Sequence, residues 1–165
     1  MNQKNRVLLT GSNGFLGQKF TDLVLQRKNI ELCCTSNSEN RNPNNIGYEF
    51  IKLDLLDFEG LERLIHRFQP THIVHTAAMT SVEACEQDPD YCQELNVHVV
   101  SKIAALCKQE DIHLTFLSTD FVFDGENGPY DELSATNPRN AYGQSKLDAE
   151  KAVIESGCRA SILRT

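Results

Sequence analysis

The sequence predicts a single α/β domain in which helices cover both faces of a doubly wound parallel sheet. Three observations support this fold class: the chain has 165 residues, short strand-like segments alternate with longer helical ones, and the central strand segments are almost continuously apolar. A chain of this length is long enough for one domain with its own core. Continuous apolar runs are typical of parallel strands that are buried on both faces. Right-handed crossovers between such strands produce a doubly wound sheet.

Six segments have the composition of strands, and "THIVHTAA" and "IHLTFLST" are the clearest of them. Six strands in two halves of three complete a dinucleotide-binding core. The predicted strands are Arg6–Thr10, Ile30–Thr35, Tyr48–Leu53, His72–Thr76, His113–Ser118 and Ser161–Arg164.

Four segments between the strands have the periodicity of helices. In "LNVHVVSKIAALCKQ" the apolar residues recur at helical spacing and form one stripe. Two polar loops, Ser36–Gly47 and Thr119–Arg139, interrupt the pattern, and a loop as long as the second is usually functional. The predicted helices are Phe15–Arg27, Asp57–Phe68, Pro89–Gln109 and Ala141–Ser156.

The composition excludes several classes of function. The net charge is −7 and no basic run is present, so nucleic acids and anionic membranes are poor partners. No stretch has the run of apolar residues that a membrane span needs, and the polar start "MNQKN" does not resemble a signal peptide. We therefore expect a cytoplasmic protein.

The six cysteines and five histidines do not have the sequence spacing that is typical of disulfide-bonded or metal-binding proteins. No C-x-x-C pair occurs, and the histidines have no ligand spacing with cysteine or acidic residues. We expect these side chains to be packing and surface residues, without disulfides and without a metal site.

The segment "TGSNGFLG" places Gly11, Gly14 and Gly17 three residues apart, between the first strand and the first helix. In a Rossmann turn one glycine lets the chain reverse, another lets the backbone approach a pyrophosphate, and the third lets the helix pack closely on the sheet. Free N–H groups at the helix start then meet the negative charge of the phosphates. The turn therefore predicts a dinucleotide-binding Rossmann fold.

The end of the second strand carries no acidic residue for the adenosine ribose. Thr35, Ser36 and Asn37 stand there instead, with Glu39 and Arg41 further into the loop. A carboxylate about twenty residues after the glycines is the usual sign of NAD binding. Small hydroxyl groups with Arg41 nearby tolerate a 2′-phosphate, so NADP(H) is favoured over NAD(H).

A second group of residues suits proton transfer. Tyr142 and Lys146 in "NAYGQSKLDAE" are four residues apart on a predicted helix, so their side chains share one face. A nearby ammonium stabilises a phenolate, so we expect Lys146, with the positive ring of an oxidised nicotinamide, to lower the pKa of Tyr142. Thr119 follows the fifth strand, at the sheet edge where ligands bind. Together the three residues suit proton donation to a ketone that receives hydride.

These motifs resemble those of the extended short-chain dehydrogenases/reductases over essentially all 165 residues. "TGSNGFLG" is similar to the family turn T-G-x-x-G-x-x-G, and "AYGQSK" is similar to its Y-x-x-x-K motif. The resemblance implies that Asp54 and Leu55 flank the adenine and that Ala77 and Ala78 line the cofactor. It also implies that Asn96 is a structural residue that takes part in a proton relay.

Within this family, "STDFVFDG", "PYDE" and "YGQSK" are most similar to the dTDP-4-dehydrorhamnose reductases. That resemblance implies reduction of a nucleotide-linked 4-keto-6-deoxy sugar by NAD(P)H. Tyr142 would give the proton, Thr119 would hold the ketone, and Lys146 would bind the nicotinamide ribose. The expected cofactor-binding residues are Gly11, Asn13, Gly14, Phe15, Leu16, Gly17, Ser36, Arg41, Asp54, Leu55, Ala77, Ala78, Asn96 and Ser118.

Two other functions are compatible with the sequence. The superfamily includes a non-catalytic regulatory module, the beta subunit of methionine adenosyltransferase, but the presence of Thr119, Tyr142 and Lys146 favours an enzyme. A nucleotide-sugar epimerase or dehydratase fits the glycine turn equally and fits "STDFVFDG" less well.

The resemblance also sets an expectation for domain organisation. Enzymes of this family continue past "ILRT" into a seventh strand and a small C-terminal substrate domain. We therefore expect residues 1–165 to be the cofactor domain, with the substrate domain absent from this chain. An unpaired edge at the sixth strand would promote homo-oligomers. The expected small-molecule partner is a nucleotide sugar.

Overall fold

A computed structural model describes residues 5–165, and these residues form one six-stranded parallel sheet with the strand order β3-β2-β1-β4-β5-β6. The fold class and all six strands are confirmed, with bounds within two residues of those predicted. Residues 1–4, which include most of the polar start, lie outside the described residues. The strands are β1 Asn5–Thr10, β2 Ile30–Ser36, β3 Glu49–Lys52, β4 His72–His75, β5 His113–Ser118 and β6 Ala160–Arg164.

The strand order creates a crevice at one edge of the sheet. β1 pairs with β2 on one side and with β4 on the other, and all these pairings are parallel. Strands β2 and β3 are therefore added on one side of β1, and β4 to β6 are added on its other side. The crossovers run away from each other at this point and leave an opening beyond the carboxyl ends of β1 and β4. Open α/β sheets bind ligands at such a switch point.

Three of the four predicted helices are confirmed, and the fourth is divided. A π-helical turn over Glu94–His98 joins α4 to α5, and a further short helix, α3, precedes them. Asp88 ends α3 and caps α4, where its side chain accepts the Tyr91 N–H at 3.0 Å and Pro89 takes the first helical position. The helices are α1 Phe15–Leu25, α2 Phe58–Phe68, α3 Val82–Gln87, α4 Pro89–Gln93, α5 Val99–Gln109 and α6 Ala141–Ser156.

Both faces of the sheet are buried, which explains the continuous apolar strands. Leu8 packs into one core cluster with Ile65 and Ile103, from α2 and α5. Leu9, the next residue, packs on the opposite face with Val24 from α1. Since successive strand residues point to opposite faces, both must be apolar when helices cover both sides.

The expectation that no cysteines are bridged is wrong for one pair. Cys85 and Cys92 form a disulfide with their Cα atoms 5.2 Å apart. The turn at Asp88 folds α3 against α4 and brings together two positions whose sequence spacing carries no known signature. Three free cysteines, Cys33, Cys34 and Cys107, are buried, and Cys158 is half-buried.

Within residues 5–165, no three histidine, cysteine or acidic side chains cluster closely enough to hold a metal ion. None of the helices in this described part has both the length and the apolar character needed to cross a membrane.

Candidate functional site

A cleft with a volume of about 490 Å³ lies at the carboxyl edge of the sheet, beyond β1 and β4. Of the seventeen residues predicted for the site, thirteen line this cleft. The exceptions are Asn13, Arg41, Asn96 and Thr119. The thirteen lining residues are Gly11, Gly14, Phe15, Leu16, Gly17, Ser36, Asp54, Leu55, Ala77, Ala78, Ser118, Tyr142 and Lys146.

The glycine turn forms the floor of the cleft, and two of its glycines have no room for a side chain. Gly11 adopts a φ of 78°, and a Cβ there would lie 2.6 Å from the Ala77 backbone nitrogen. A Cβ at Gly17 would lie 2.7 Å from the Ser12 Cα. The absence of side chains therefore lets the segment after β4 and the start of α1 pack directly against the turn, and it keeps the backbone of the turn open to the cleft.

The start of α1 is suited to hold an anion. Its N-cap residue, Gly14, has no side chain to cap the first N–H groups, and the first turn carries no acidic residue. The first N–H groups of a helix have no partner within the helix, and the helix dipole favours negative charge beside them. This geometry fits the pyrophosphate of a dinucleotide.

The far end of the cleft, where β2 and β3 end, is lined by Ser36, Asn37, Asp54 and Leu55. Leu55 is buried and offers an apolar surface to a flat ring, whereas Ser36 and Asn37 offer polar groups. Arg41 is exposed and lies outside the lining, on the loop that follows β2. The region therefore combines an apolar wall with small polar groups, as an adenosine requires.

The catalytic candidates meet at the opposite end of the cleft, where α6 begins. Asn140 caps α6 by accepting the Gly143 N–H at 2.7 Å. A Cβ at Gly143 would lie 3.0 Å from the Phe121 carbonyl carbon, so this glycine lets α6 approach the turn after Thr119. Tyr142 consequently lies edge-on against the Phe121 ring, with 5.8 Å between the centroids, and Thr119 lies close enough to the Tyr142 hydroxyl to lower its pKa. The structure thus brings the Tyr142 and Thr119 side chains together.

Lys146 is buried and is held under the cleft. Its Nζ donates to the Leu117 carbonyl oxygen at 2.6 Å and lies 4.2 Å from the centroid of the Phe116 ring. Burial lowers the pKa of Lys146 to about 8, and the negative charge of Glu150 opposes this shift. We therefore expect the Lys146 ammonium to lose its proton near pH 8, within the pH range of ordinary enzyme assays.

Burial raises the pKa of Tyr142 above its ordinary value, and the hydrogen bond with Thr119 only partly opposes this effect. The expected lowering by Lys146 also requires the positive ring of an oxidised nicotinamide, and it stays a prediction.

Two buried groups beside Lys146 were missed from the sequence. Glu150, one helical turn after Lys146, accepts the Ser118 hydroxyl and pairs with Arg164, whose Nη2 lies 2.7 Å from Oε2. His75, at the end of β4, lies with Nδ1 2.7 Å from the Thr10 Oγ1. Burial, with a contribution from the Lys146 charge, lowers the pKa of His75 to about 3. Tyr142, Lys146 and Glu150 share a four-residue spacing, and this signal could have identified Glu150.

Asn96 and Asn13 lie outside the cleft and hold its walls. Asn96 exchanges two hydrogen bonds with the Met79 backbone, at 2.8 and 3.0 Å, and donates to the Ser145 Oγ at 3.0 Å. It therefore connects the segment after β4 to α6, which agrees with a structural role. Asn13 is hydrogen-bonded to the loop after β2.

Residues 5–165 match the model of the RmlD substrate binding domain family. The chain belongs to this family. The RmlD-family chain is 38% identical over 159 residues to methionine adenosyltransferase 2 subunit beta of Rattus norvegicus, a match that covers 96% of this chain and 46% of that protein.

Solved structures of two kinds of enzyme share this fold. A dTDP-4-dehydrorhamnose reductase of Bacillus anthracis in complex with NADP aligns with a TM-score of 0.86 at 27% identity, over 99% of this chain and 54% of that one. A UDP-glucose 4-epimerase of Thermus thermophilus in complex with NAD aligns with a TM-score of 0.86 at 30% identity, over 96% and 54% of the two chains. The RmlD-family chain spans about half the length of these relatives.

Proposed function

We propose that this protein binds a nicotinamide dinucleotide and supports hydride transfer to the keto group of a nucleotide-linked 4-keto-6-deoxy sugar. One observation carries the proposal: the uncapped start of α1 lies in the same cleft as Tyr142 and Lys146, at the switch point of a parallel sheet. One end suits the phosphates of a cofactor and the other suits acid–base chemistry.

Each group in the cleft has a task that its chemistry supports. The backbone of the glycine turn and the start of α1 would hold the pyrophosphate, and Leu55 with Asp54 would hold the adenosine. The nicotinamide supplies the hydride when it is bound. Tyr142 would donate a proton from its hydroxyl to the ketone oxygen, while the Thr119 hydroxyl would hold that oxygen by a hydrogen bond. Lys146 would bind the nicotinamide ribose.

We also propose that NADP(H) is preferred to NAD(H). No acidic residue lines the cleft at the end of β2, where a carboxylate would repel a 2′-phosphate. The hydroxyl of Ser36 can donate to that phosphate, and Arg41 carries a positive charge on the adjoining loop.

The reaction is tested by the oxidation of NADPH in the presence of a dTDP-linked 4-keto-6-deoxy sugar. Turnover that is lost in Tyr142→Phe would support the proposal, whereas cofactor binding with no turnover would contradict the catalytic part of it. The chain holds about half the length of its relatives, so the same assay should be repeated with any longer form of the protein.

A regulatory module is the second candidate, and one observation favours it. The identity to methionine adenosyltransferase 2 subunit beta is 38%, against 27–35% to dTDP-4-dehydrorhamnose reductases of solved structure. A regulatory subunit would retain the dinucleotide site and would bind a methionine adenosyltransferase catalytic subunit. Cofactor binding and co-sedimentation with such a subunit, without reduction of any keto sugar, would distinguish this candidate from the reductase.

A further inference from the structure

Asn13 uses both ends of its side-chain amide on one loop. Its Nδ2 donates to the Ser38 Oγ at 3.0 Å and to the Glu39 carbonyl oxygen at 2.8 Å. Its Oδ1 accepts the Arg41 backbone N–H at 2.9 Å. The Asn13 carbonyl oxygen is in turn held by the Gln18 side chain at 2.9 Å, which connects this residue to α1. The glycine turn and the loop after β2 are therefore joined through one residue.

The loop that Asn13 holds borders the adenosine end of the cleft. Ser36 and Asn37, which line the cleft, directly precede the three residues that Asn13 contacts. The only acidic residue among positions 36–41 is Glu39, and its carboxylate is paired with Lys52 at 2.8 Å. Arg41 takes part in no salt bridge among residues 5–165. The segment thus carries one paired acid and one cation that is available to an anion.

We propose that Asn13 is a positioning residue that sets the preference for a 2′-phosphorylated cofactor without contacting the cofactor. By fixing the backbone of Ser38–Arg41 beside the glycine turn, it keeps the Arg41 guanidinium and the nearby hydroxyl groups at the rim where a 2′-phosphate would lie. Guanidinium groups bind phosphate in a fixed geometry, and a loop that is already ordered loses less entropy when it binds. The inference rests on the proposed function, because it requires a dinucleotide in this cleft.

The test is an equilibrium titration with NADPH and with NADH, since the two cofactors differ only in the 2′-phosphate. In Asn13→Ala the dissociation constant for NADPH should rise about tenfold, because three hydrogen bonds that order the loop are lost. The dissociation constant for NADH should rise less than about twofold. Arg41→Ala should change the ratio of the two constants in the same direction. Arg27→Ala, which removes an exposed arginine near the far end of α1, should leave the ratio unchanged.

A matched control separates the role of Asn13 from general disorder of the loop. Asn40→Ala removes the hydrogen bond of Asn40 to the Tyr48 hydroxyl at 2.9 Å and the bond that it accepts from the Asn42 N–H at 3.1 Å, and it leaves the glycine turn untouched. This variant should keep the wild-type ratio. Asn13→Asp provides a second test if Asn13→Ala folds poorly. It retains an acceptor for the Arg41 N–H and loses the two hydrogen bonds that Nδ2 donates to Ser38 and Glu39. It should also lose the preference for NADPH.

The outcomes distinguish this inference from the proposed function. If the wild-type protein binds both cofactors and the Asn13 variants weaken them equally, the positioning role is wrong while the dinucleotide site stands. An equal loss of preference in Asn40→Ala also contradicts the specific role of Asn13. If the wild-type protein binds neither cofactor, the proposed function itself fails and the inference fails with it.

Discussion

At the scale of single residues, burial shifts the pKa of both Tyr142 and Lys146 at the catalytic end of the cleft. Lys146 donates to the Leu117 carbonyl oxygen, and burial raises the pKa of Tyr142. The Lys146 ammonium has three N–H donors, so it can keep this carbonyl and still bind the ribose hydroxyl groups. We expect the positive ring of an oxidised nicotinamide, when bound, to act together with Lys146 on the pKa of Tyr142.

The first prediction concerns Tyr142. In Tyr142→Phe the proton donor is lost, so turnover with a keto-sugar substrate should fall by about 10²–10⁴-fold while the dissociation constant of the cofactor changes less than about twofold. The control is Tyr91→Phe, because Tyr91 also lines the cleft and has no proposed part in proton transfer. Equal losses of turnover in the two variants would contradict the assignment.

The second prediction is a pH dependence that comes from Lys146. Burial lowers its pKa to about 8, so the ammonium is present below that pH and is lost above it. If the charged form binds the ribose and stabilises developing phenolate, kcat should decrease as the pH rises through about 8. In Lys146→Arg, which keeps its charge at all these pH values, any remaining activity should lack this decrease. A profile that is flat from pH 7 to 9 in the wild type would count against the role of Lys146.

At the scale of elements, the sequence predicted the strands well because burial on both faces leaves continuous apolar runs, as the Leu8–Leu9 pair illustrates. Local capping decided what the sequence missed. Ser81 and Asp88 each cap a short helix through a side-chain oxygen, so α3 forms as a separate helix before the predicted one. The π-helical turn Glu94–His98 then divides the segment that was predicted to be one continuous helix. The Cys85–Cys92 pairing follows from the turn at Asp88 and has no sequence signal of its own.

The site was predicted at the level of motifs and less well at the level of contacts. Thirteen of the seventeen residues line the cleft because glycines and strand ends have positions that the fold determines. The direction of the Asn13 side chain depends on the conformation of the loop after β2, and the partner of Lys146 depends on tertiary packing. Neither property has a periodicity that the sequence could display.

The third prediction concerns the junction between the glycine turn and α1. In Gly17→Ala the new Cβ would lie 2.7 Å from the Ser12 Cα, so α1 must move away from the turn. We expect a loss of about 1–3 kcal/mol in the free energy of unfolding and at least about a tenfold loss of cofactor affinity. Calorimetry measures the affinity, and urea denaturation measures the stability.

Gly125→Ala is the control for this prediction. Its φ of 79° makes alanine strained, but nothing lies within 4 Å of the added Cβ and the residue does not line the cleft. It should lower stability by about 1 kcal/mol and leave cofactor affinity unchanged. A loss of affinity in both variants would mean that general destabilisation, and not the junction, controls binding.

At the scale of the whole molecule, one buried histidine makes stability depend on pH. His75 has its pKa lowered to about 3, so it is neutral in the folded protein at pH values where an unfolded chain binds a proton. The unfolded state binds more protons below about pH 6.5, so the free energy of unfolding should decrease as the pH falls from 6.5 towards 3.

This fourth prediction is tested by measuring the free energy of unfolding in urea at a series of pH values. His75→Asn removes the titrating group and retains an amide that can bond with Thr10. The free energy of unfolding of this variant should therefore decrease less steeply between pH 6.5 and 4 than that of the wild type. The two slopes should differ by at most about 1.4 kcal/mol per pH unit. Parallel slopes in the two proteins would contradict the assignment of this pH dependence to His75.

The fifth prediction is that the protein associates with itself. β6 is an edge strand of the described sheet, and Leu163 on it and Ile154 on α6 are 48% and 69% exposed. Exposed apolar side chains beside an unpaired edge favour association. Sedimentation should show dimers or larger species that Leu163→Lys reduces, and a wild-type protein that remains a monomer at high concentration would contradict this expectation.

The most direct test of whether the cleft binds a dinucleotide is a calorimetric titration of the wild-type protein with NADPH and with NADH. We expect at least one of them to bind, with NADPH the tighter of the two, because the uncapped start of α1 would hold the pyrophosphate and no carboxylate lines the cleft at the end of β2. If a folded sample binds neither cofactor at millimolar concentration, the cleft is not a dinucleotide site and the proposed function is wrong.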